Sequence, residues 1–282
     1  LGLVIMIEAW SASAATLHVW QDSPNPSPPY TNWLMAARSI QEAINTAVAG
    51  DTVLVTNGVY ATGGRAVSGA LTNRVAIDRA ITVQSVAGPA VTVIVGTAAS
   101  GGGNGDGAIR GAYVGTNAVL SGFTLTNGHT RFVGEYCGGG VWCETSGVVT
   151  NCVLTGNSAA SYGGGAKGGT LYHCTLVANS AFGGGGAYLN TLHHCTLIGN
   201  AATDSGGGGA GAVRDALFVA REVQLPFLHF RLQRLARDER TNGPVSLAHE
   251  LAAVNRPASV CRVPHDRVAD VAHVNAKLVR AS

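Results

Sequence analysis

The sequence predicts a right-handed parallel β-helix, a solenoid of stacked strand-only coils, with an N-terminal capping α-helix. One observation is a unit of the form Cys-x-Leu-x-x-Asn that recurs every 21 or 22 residues, at 151–157, 173–179 and 194–200. A second is the glycine run that follows each unit. A third is that the units are rich in Thr and Val and lack a ten-residue stretch with helical periodicity, which excludes helical solenoids.

The Cys-x-Leu pattern places two apolar side chains on the same face of a strand. Coils of a parallel β-helix lie about 4.7–4.9 Å apart, so equivalent residues form ladders along the stack. We expect the repeat cysteines to stack inward as small hydrophobic side chains. We expect the repeat asparagines to stack in a turn, with left-handed backbone and with amides bonded along the ladder. These residues are Cys152, Cys174, Cys195, Asn157, Asn179 and Asn200.

The chain before the repeats fits the same plan. Apolar residues at helical spacing predict a helix over Trp33–Val48, and Gly50 follows as a stop signal. Such a helix would cover the first coil, which otherwise exposes both core and strand edge. Strands are expected at Asp51–Val55, Ile81–Val86, Val91–Val95 and Val119–Leu125.

Composition divides the 282 residues into four segments. Of the 39 glycines, 38 precede Val213, whereas 11 of the 18 Lys and Arg residues follow Ala212. We interpret residues 1–14 as the end of a secretory signal peptide, because an apolar run precedes the small-x-small triplet Ala12-Ser13-Ala14. Residues 15–50 then hold the first strand and the cap, and residues 51–212 the β-helix. Residues 213–282 are an Arg-rich tail, either a frameshift product or a helical cap.

Charge and composition exclude several classes of protein. Only 12% of residues are charged and the formal net charge is +2, so nothing favours a polyanionic partner such as nucleic acid. After Ala15 no apolar run approaches the ~20 residues of a membrane span. The signal-like start predicts export, which permits disulfides. Cys137 and Cys143 are close enough in sequence to close a loop, and their state is left open.

The motifs resemble a known family. A helix, then Gly-Asp-Thr-Val-Leu-Val, then Asn-Gly-Val-Tyr, then Leu-x-x-Asn-Ser-Ala units with Gly-Gly-Gly-Ala are similar to secreted parallel β-helix repeat proteins of bacteria, in the pectate-lyase-like superfamily. The repeats also resemble those of chlamydial polymorphic outer-membrane proteins. The likeness covers about Ala15 to Ala212. It implies a secreted or surface location, whereas the superfamily's activities range from lyases and hydrolases to non-enzymatic adhesins.

That resemblance also says which residues an enzyme would need. Lyase members use a basic residue with Ca²⁺ held by carboxylates, and hydrolase members use paired or triple Asp. Here no carboxylates recur at the coil period. The only charged group to nominate is Asp106, Arg110, Arg131, Glu135 and Glu144, and the alternative is that these side chains are solvated loop charges. No cofactor is predicted, with Ca²⁺ implied only under the lyase alternative.

A metal site is not predicted either. His173 and His194 lie one coil apart beside the cysteines, but Asn151 is the third member of that column. A Zn²⁺ site needs four ligands of the His, Cys or carboxylate type, or three and a water. The pattern therefore favours a polar ladder.

Aromatic residues give the clearer functional signal. After each glycine run comes a small residue and then a large one, which predicts an outward column of Trp142, Lys167 and Tyr188. Tyr162 and Phe182 precede glycine runs and would form a second column at a corner. Exposed aromatic rows suit stacking on sugar rings, although the same rings could instead cover glycine-rich backbone. We therefore predict a protein that binds polysaccharide or cell-surface glycan, or an adhesin, with a polysaccharide lyase or glycoside hydrolase as the alternative.

Overall fold

Three parallel sheets wind around one apolar core in the computed structural model, which describes residues 13–210, 216–219 and 260–262. The right-handed parallel β-helix predicted from the sequence is confirmed, and this winding sense is the usual one for parallel strand connections. Residues 1–12 of the predicted signal segment (residues 1–14) and most of the Arg-rich tail lie outside the described residues. Among the described residues, no helix has the length and apolar character needed to cross a bilayer.

Each coil contributes one strand to each of three sheets, here called A, B and C. The strands of sheet A are Thr16–Val19, Thr52–Val55, Thr82–Ser85, Val119–Ser121, Val148–Thr150, Thr170–Tyr172 and Thr191–His193. Those of sheet B are Gly58–Tyr60, Thr92–Val95, Thr124–Thr126, Val153–Thr155, Thr175–Val177, Cys195–Ile198, Ala216–Val219 and, antiparallel, Val260–Arg262. Those of sheet C are Arg65–Ala66 (antiparallel), Thr72–Ile77, Ile109–Val114, Val141–Cys143, Ala166–Lys167, Ala187–Tyr188 and Gly209–Ala210. A two-stranded sheet D joins Ser180–Gly183 and Ala201–Ser205.

The predicted strands are found with one change. The segment Val119–Leu125 is two strands, because Gly122 bends the chain between sheets A and B with φ of 82°. The equivalent positions in the next three coils are Asn151, His173 and His194, with φ of 51–52°. A corner in the left-handed region therefore recurs immediately before each of the repeat cysteines Cys152, Cys174 and Cys195.

The predicted N-terminal helix is shorter than expected. Trp33–Met35 is a 3-10 turn, and the α-helix covers only Ile40–Thr46. The intervening backbone is extended because Ala37 pairs with the first strand, donating to the His18 carbonyl. Ser39 and Glu42 then form a capping box that fixes the helix start.

The helix also covers a strand edge. The Gln41 side chain accepts a hydrogen bond from the Ala76 amide at 2.7 Å and donates to the Ala76 carbonyl at 3.3 Å. These bonds satisfy backbone groups at the free edge of sheet C, beyond the short antiparallel strand Arg65–Ala66. Ile40, Ala43 and Ile44 meanwhile pack into the core. The cap therefore blocks both the open core and the open edge, as the sequence indicated.

The repeat asparagines form the predicted ladder, with one correction. Asn157, Asn179 and Asn200 are buried, and each side-chain oxygen of the last two accepts bonds from the preceding asparagine's backbone and side-chain nitrogens at 2.9–3.0 Å. The expected left-handed backbone is not on these residues. It falls one position earlier, on Ala178 and on the glycines Gly156 and Gly199.

Glycine at position 178 is therefore expected to make the protein more stable than alanine does. An L-residue in the left-handed region costs roughly 1–2 kcal/mol, from which the backbone entropy of glycine, about 0.5–1 kcal/mol, must be subtracted. We expect Ala178→Gly to raise the free energy of unfolding by up to about 1 kcal/mol. Urea denaturation measures it, with Ala181→Gly, at a buried strand position, as the control that should lower stability. A loss of stability in Ala178→Gly would contradict the strain argument.

In each coil, the backbone of the glycine run is in contact with a second stretch of backbone, the segment that precedes the next run. The amides of the glycine runs donate to carbonyls of the next coil, as from Gly164 to Gly184 at 3.3 Å, which extends sheet C by three residues. The chain segments before the runs, around Ser158 and Ser180, pass directly over them. A Cβ on Gly164 would meet the Ser180 carbonyl oxygen. Only glycine allows the two layers this approach.

Candidate functional site

Four large side chains stand in register on the outer face of sheet C. Trp142 lies beside Tyr113, Lys167 beside Trp142, and Tyr188 beside Lys167. Their neighbours along each strand point into the core, so strand alternation turns these four outward. We call this row the sheet C column. It contains the three residues that the sequence placed in an outward column, together with Tyr113.

The side chains of the sheet C column contact one another. The Lys167 ammonium lies over the Trp142 ring, 3.9 Å from its centroid. The indole Nε1 of Trp142 donates to Glu144 Oε1 at 3.1 Å, and the Tyr113 hydroxyl donates to the same oxygen at 3.1 Å. Burial, and then the Glu144 carboxylate, raise the pKa of Tyr113 to about 12. The column therefore presents a fixed carboxylate, a fixed amine and ring edges.

The second predicted column meets the first at the corner. The Tyr162 ring stacks on the Tyr188 ring at 4.4 Å between centroids, with an interplanar angle of 19°. Phe182 meets Tyr162 edge to face at 6.3 Å and is 45% exposed. One ring face of Tyr188 is thus covered by Tyr162, whereas Phe182 keeps open surface. We call these three residues the aromatic corner.

A loop beside the aromatic corner carries further exposed aromatic rings. Phe132 and Tyr136 are both exposed, and neither was singled out from the sequence. The Tyr136 carbonyl accepts a hydrogen bond from the Ser161 amide at 2.9 Å, next to Tyr162 in sequence. This bond places the loop against the corner.

The five charged residues nominated from the sequence are held by different partners. Arg131 and Asp106 form an ion pair at 2.7 Å. Glu135 accepts a hydrogen bond from the Leu71 amide at 2.7 Å, and Glu144 accepts those of the sheet C column. Each of the three carboxylates therefore has its own partner, unlike the facing carboxylates of a glycoside hydrolase.

Arg110 is a structural cation. It is buried, and it donates to the carbonyls of Gly138 at 2.8 Å and Cys137 at 2.9 Å and to Asn73 Oδ1 at 2.8 Å. Its guanidinium carbon lies 5.3 Å from the Trp142 ring centroid. Burial lowers its pKa to about 10, so it stays protonated at neutral pH. These hydrogen bonds anchor the loop that ends at Gly138, and the guanidinium also packs against the Trp142 ring.

Two histidines and the three repeat cysteines are arranged as ladders. His173 and His194 stack at 5.0 Å, with an interplanar angle of 11°. Cys137, Cys143, Cys152, Cys174 and Cys195 are buried free thiols, and burial raises the pKa of Cys143 to about 12. Within the part of the chain that the structure describes, no group of three or more His, Cys, Asp or Glu side chains is arranged to hold a metal ion.

Three outward residues of the sheets were not predicted from the sequence. Tyr113 precedes Trp142 by 29 residues, because a long loop interrupts the coil period there. Tyr172 and His193 stack at 4.7 Å on the outer face of sheet A. Each lies two residues before a repeat cysteine, so the repeat alignment contained the signal for this pair.

Comparison with known proteins gives similarity to solved β-helix structures. A crystal structure of pectin methylesterase in complex with a hexasaccharide is 15% identical, with a TM-score of 0.45, over 76% of this chain and 68% of that one. A mutant of pectin methylesterase with another hexasaccharide is 16% identical, with a TM-score of 0.44 and the same coverage. Pectate lyase Pel9A is 12% identical, with a TM-score of 0.44, over 72% of this chain and 54% of that one. No protein-family model and no curated protein matches the chain.

Proposed function

We propose that this chain is a secreted or surface-exposed β-helix repeat protein that binds polysaccharide, in the manner of an adhesin. The single observation that carries the proposal is the junction of the sheet C column with the aromatic corner. The Phe182 ring contacts Tyr162, which stacks on Tyr188 of the sheet C column. The column continues from Tyr188 to the amine of Lys167 and then to Trp142, whose indole donates to the carboxylate of Glu144. Sugars combine apolar ring faces with hydroxyl edges, and this combination of groups suits both.

The export predicted from the signal-like N-terminus belongs to the same proposal. So do the bacterial origin and the likeness to chlamydial surface proteins, which the repeat motifs indicate. The binding proposal rests on this chain's own side chains.

Binding is preferred over catalysis because of how the acidic groups are used. Glu144 is engaged by two donors of the column, and Asp106 by Arg131 on an exposed loop. The lyase or hydrolase alternative makes a different prediction, namely release of reducing ends from acidic or neutral polysaccharides, with or without Ca²⁺. We expect no release from the folded full chain.

Affinity electrophoresis in gels containing single polysaccharides tests the binding proposal. We expect retardation of the full chain by at least one polysaccharide, and about tenfold weaker binding of Phe182→Ala and Trp142→Phe, which corresponds to about 1.4 kcal/mol each. Tyr172→Ala is the matched control, because it removes an exposed aromatic ring from sheet A. Retardation that is absent, or equal in all variants, would refute glycan binding at this face.

A further inference from the structure

We infer that Tyr136 and Phe182 are the two walls of a slot that holds one sugar ring of the bound glycan, with the coil between them as its floor. The inference deepens the proposed function and rests on it. Tyr136 thereby joins Phe182 and Tyr162 as a third ring of the binding face. The register of three successive coils at this corner supports the slot.

Hydrogen bonds fix how the three coils are aligned. The Ser161 amide donates to the Tyr136 carbonyl at 2.9 Å, and the Gly183 amide donates to the Ser161 carbonyl at 2.9 Å. A bridge pairs Tyr162 with Gly183, which sets Ser161 beside Phe182. Tyr136, Ser161 and Phe182 therefore form one column along the stack.

The two outer members of this column carry exposed aromatic rings. Tyr136 is 43% exposed and Phe182 is 45% exposed, whereas the residue that follows each of them is buried. This alternation turns both rings away from the core. The middle coil has small side chains between them, those of Ala160 and Ser161.

The spacing of the column matches the insertion of one ring. Ring pairs on successive coils of this chain stack with 4.7 and 5.0 Å between their centroids. Tyr136 and Phe182 are two coils apart, which is about 9–10 Å along the stack. A guest ring midway would lie about 5 Å from each wall, within the usual range for stacked rings. The column thus holds two rings of a ladder, with a small residue at the level between them.

The groups around this level suit a sugar. The Tyr162 ring is stacked on Tyr188 at 4.4 Å and meets Phe182 edge to face at 6.3 Å, so it borders the slot on the side of sheet C. Ser161 supplies a hydroxyl group, which can donate to and accept from a sugar hydroxyl. A sugar ring has apolar faces for the two walls and a polar edge for the floor.

Filling the level between the walls with a ring of the chain's own tests the slot. Ser161→Phe should place a third ring between Tyr136 and Phe182, so we expect at least tenfold weaker binding at an unchanged or higher melting temperature. Affinity electrophoresis of the full chain in gels of xyloglucan, galactomannan, polygalacturonate or hydroxyethylcellulose measures binding. Thr150→Phe is the matched control, because it adds a ring beside Tyr172 on sheet A, and it should bind as the wild type does.

Removing one wall is a second test, which does not depend on how a new ring packs. Tyr136→Ala truncates an exposed side chain and should bind the recognised polysaccharide about tenfold more weakly, as expected for Phe182→Ala. Phe132→Ala is the control on the same loop. The Phe132 ring is also exposed but packs toward Gly105, where an added Cβ would lie 3.6 Å from it. This control should therefore leave binding unchanged.

The possible failures are distinguishable. If Phe182→Ala weakens binding and Tyr136→Ala does not, or if Ser161→Phe melts like the wild type and binds normally, the slot is overturned while glycan binding at this face stands. Equal losses in Tyr136→Ala and Phe132→Ala also overturn it, because any ring on the loop would then serve. Where Ser161→Phe lowers the melting temperature, the two loop variants decide. A wild type that is retarded by none of the four polysaccharides and none of a wider panel overturns the proposed function and the slot with it.

Discussion

Replacing Gly165 with alanine is expected to lower the free energy of unfolding by about 3 kcal/mol. Gly165 lies in the glycine run where two backbone layers touch. An alanine Cβ there would meet the Gly186 carbonyl oxygen of the next coil, and would come within 3.1 Å of the Asn179 side-chain amide. Neither neighbour can yield, because both are bonded into ladders across the stack.

Thermal unfolding followed by circular dichroism measures this effect. Gly101→Ala is the matched control, because a Cβ at Gly101 has no atom within 4 Å and its backbone is not in the left-handed region. We expect the control to melt within a degree or two of the wild type. A Gly165→Ala protein as stable as the control would contradict the close approach of Gly165 to Gly186 and Asn179.

Removing the side-chain amide of Asn179 is expected to lower the free energy of unfolding by a comparable amount. This side chain accepts from the Asn157 backbone and side-chain nitrogens and donates to the Leu154 carbonyl and to Asn200. Asn179→Ala would leave buried donors and an acceptor unpaired, each at about 1–3 kcal/mol. The sum should exceed about 3 kcal/mol, unless water enters the cavity.

Chemical denaturation with guanidinium chloride is the suitable measurement here, with Asn151→Gly as control. Asn151 is exposed and has a φ of 51°, which glycine adopts without strain. The control should therefore keep its midpoint. A small loss of stability in Asn179→Ala would mean that the hydrogen bonds of the ladder are hardly stronger than hydrogen bonds to water in their place.

The fold could be predicted because residues that recur at the coil period lie next to one another in successive coils. Cys152, Leu154 and Asn157 recur at one spacing, so their ladders follow from the period alone. The helix was overestimated, since pairing of Ala37 with the first strand is a tertiary contact that overrides helical spacing. The role of the glycine runs was only partly visible, because the second layer that crosses them comes from a different part of the coil.

The candidate site was predictable in position and less so in detail. Register placed Trp142, Lys167 and Tyr188 in one row, and the structure brings them together. Spacing does not specify rotamers, so it did not show that Lys167 covers the indole or that Tyr162 covers Tyr188. Nor could it show that Glu144, nominated as an acid for catalysis, is a hydrogen-bond acceptor within the same row.

The side-chain hydrogen bonds of the asparagine ladder all run in the same direction along the stack. This direction affects how the number of repeats in the gene can change. Each layer accepts from the layer before it and donates to the layer after it, as Asn179 does between Asn157 and Asn200. A duplicated unit of this length would find the same acceptor on one side and the same donor on the other. Unequal recombination between repeats could therefore lengthen or shorten the rod by whole layers, with every buried amide still paired.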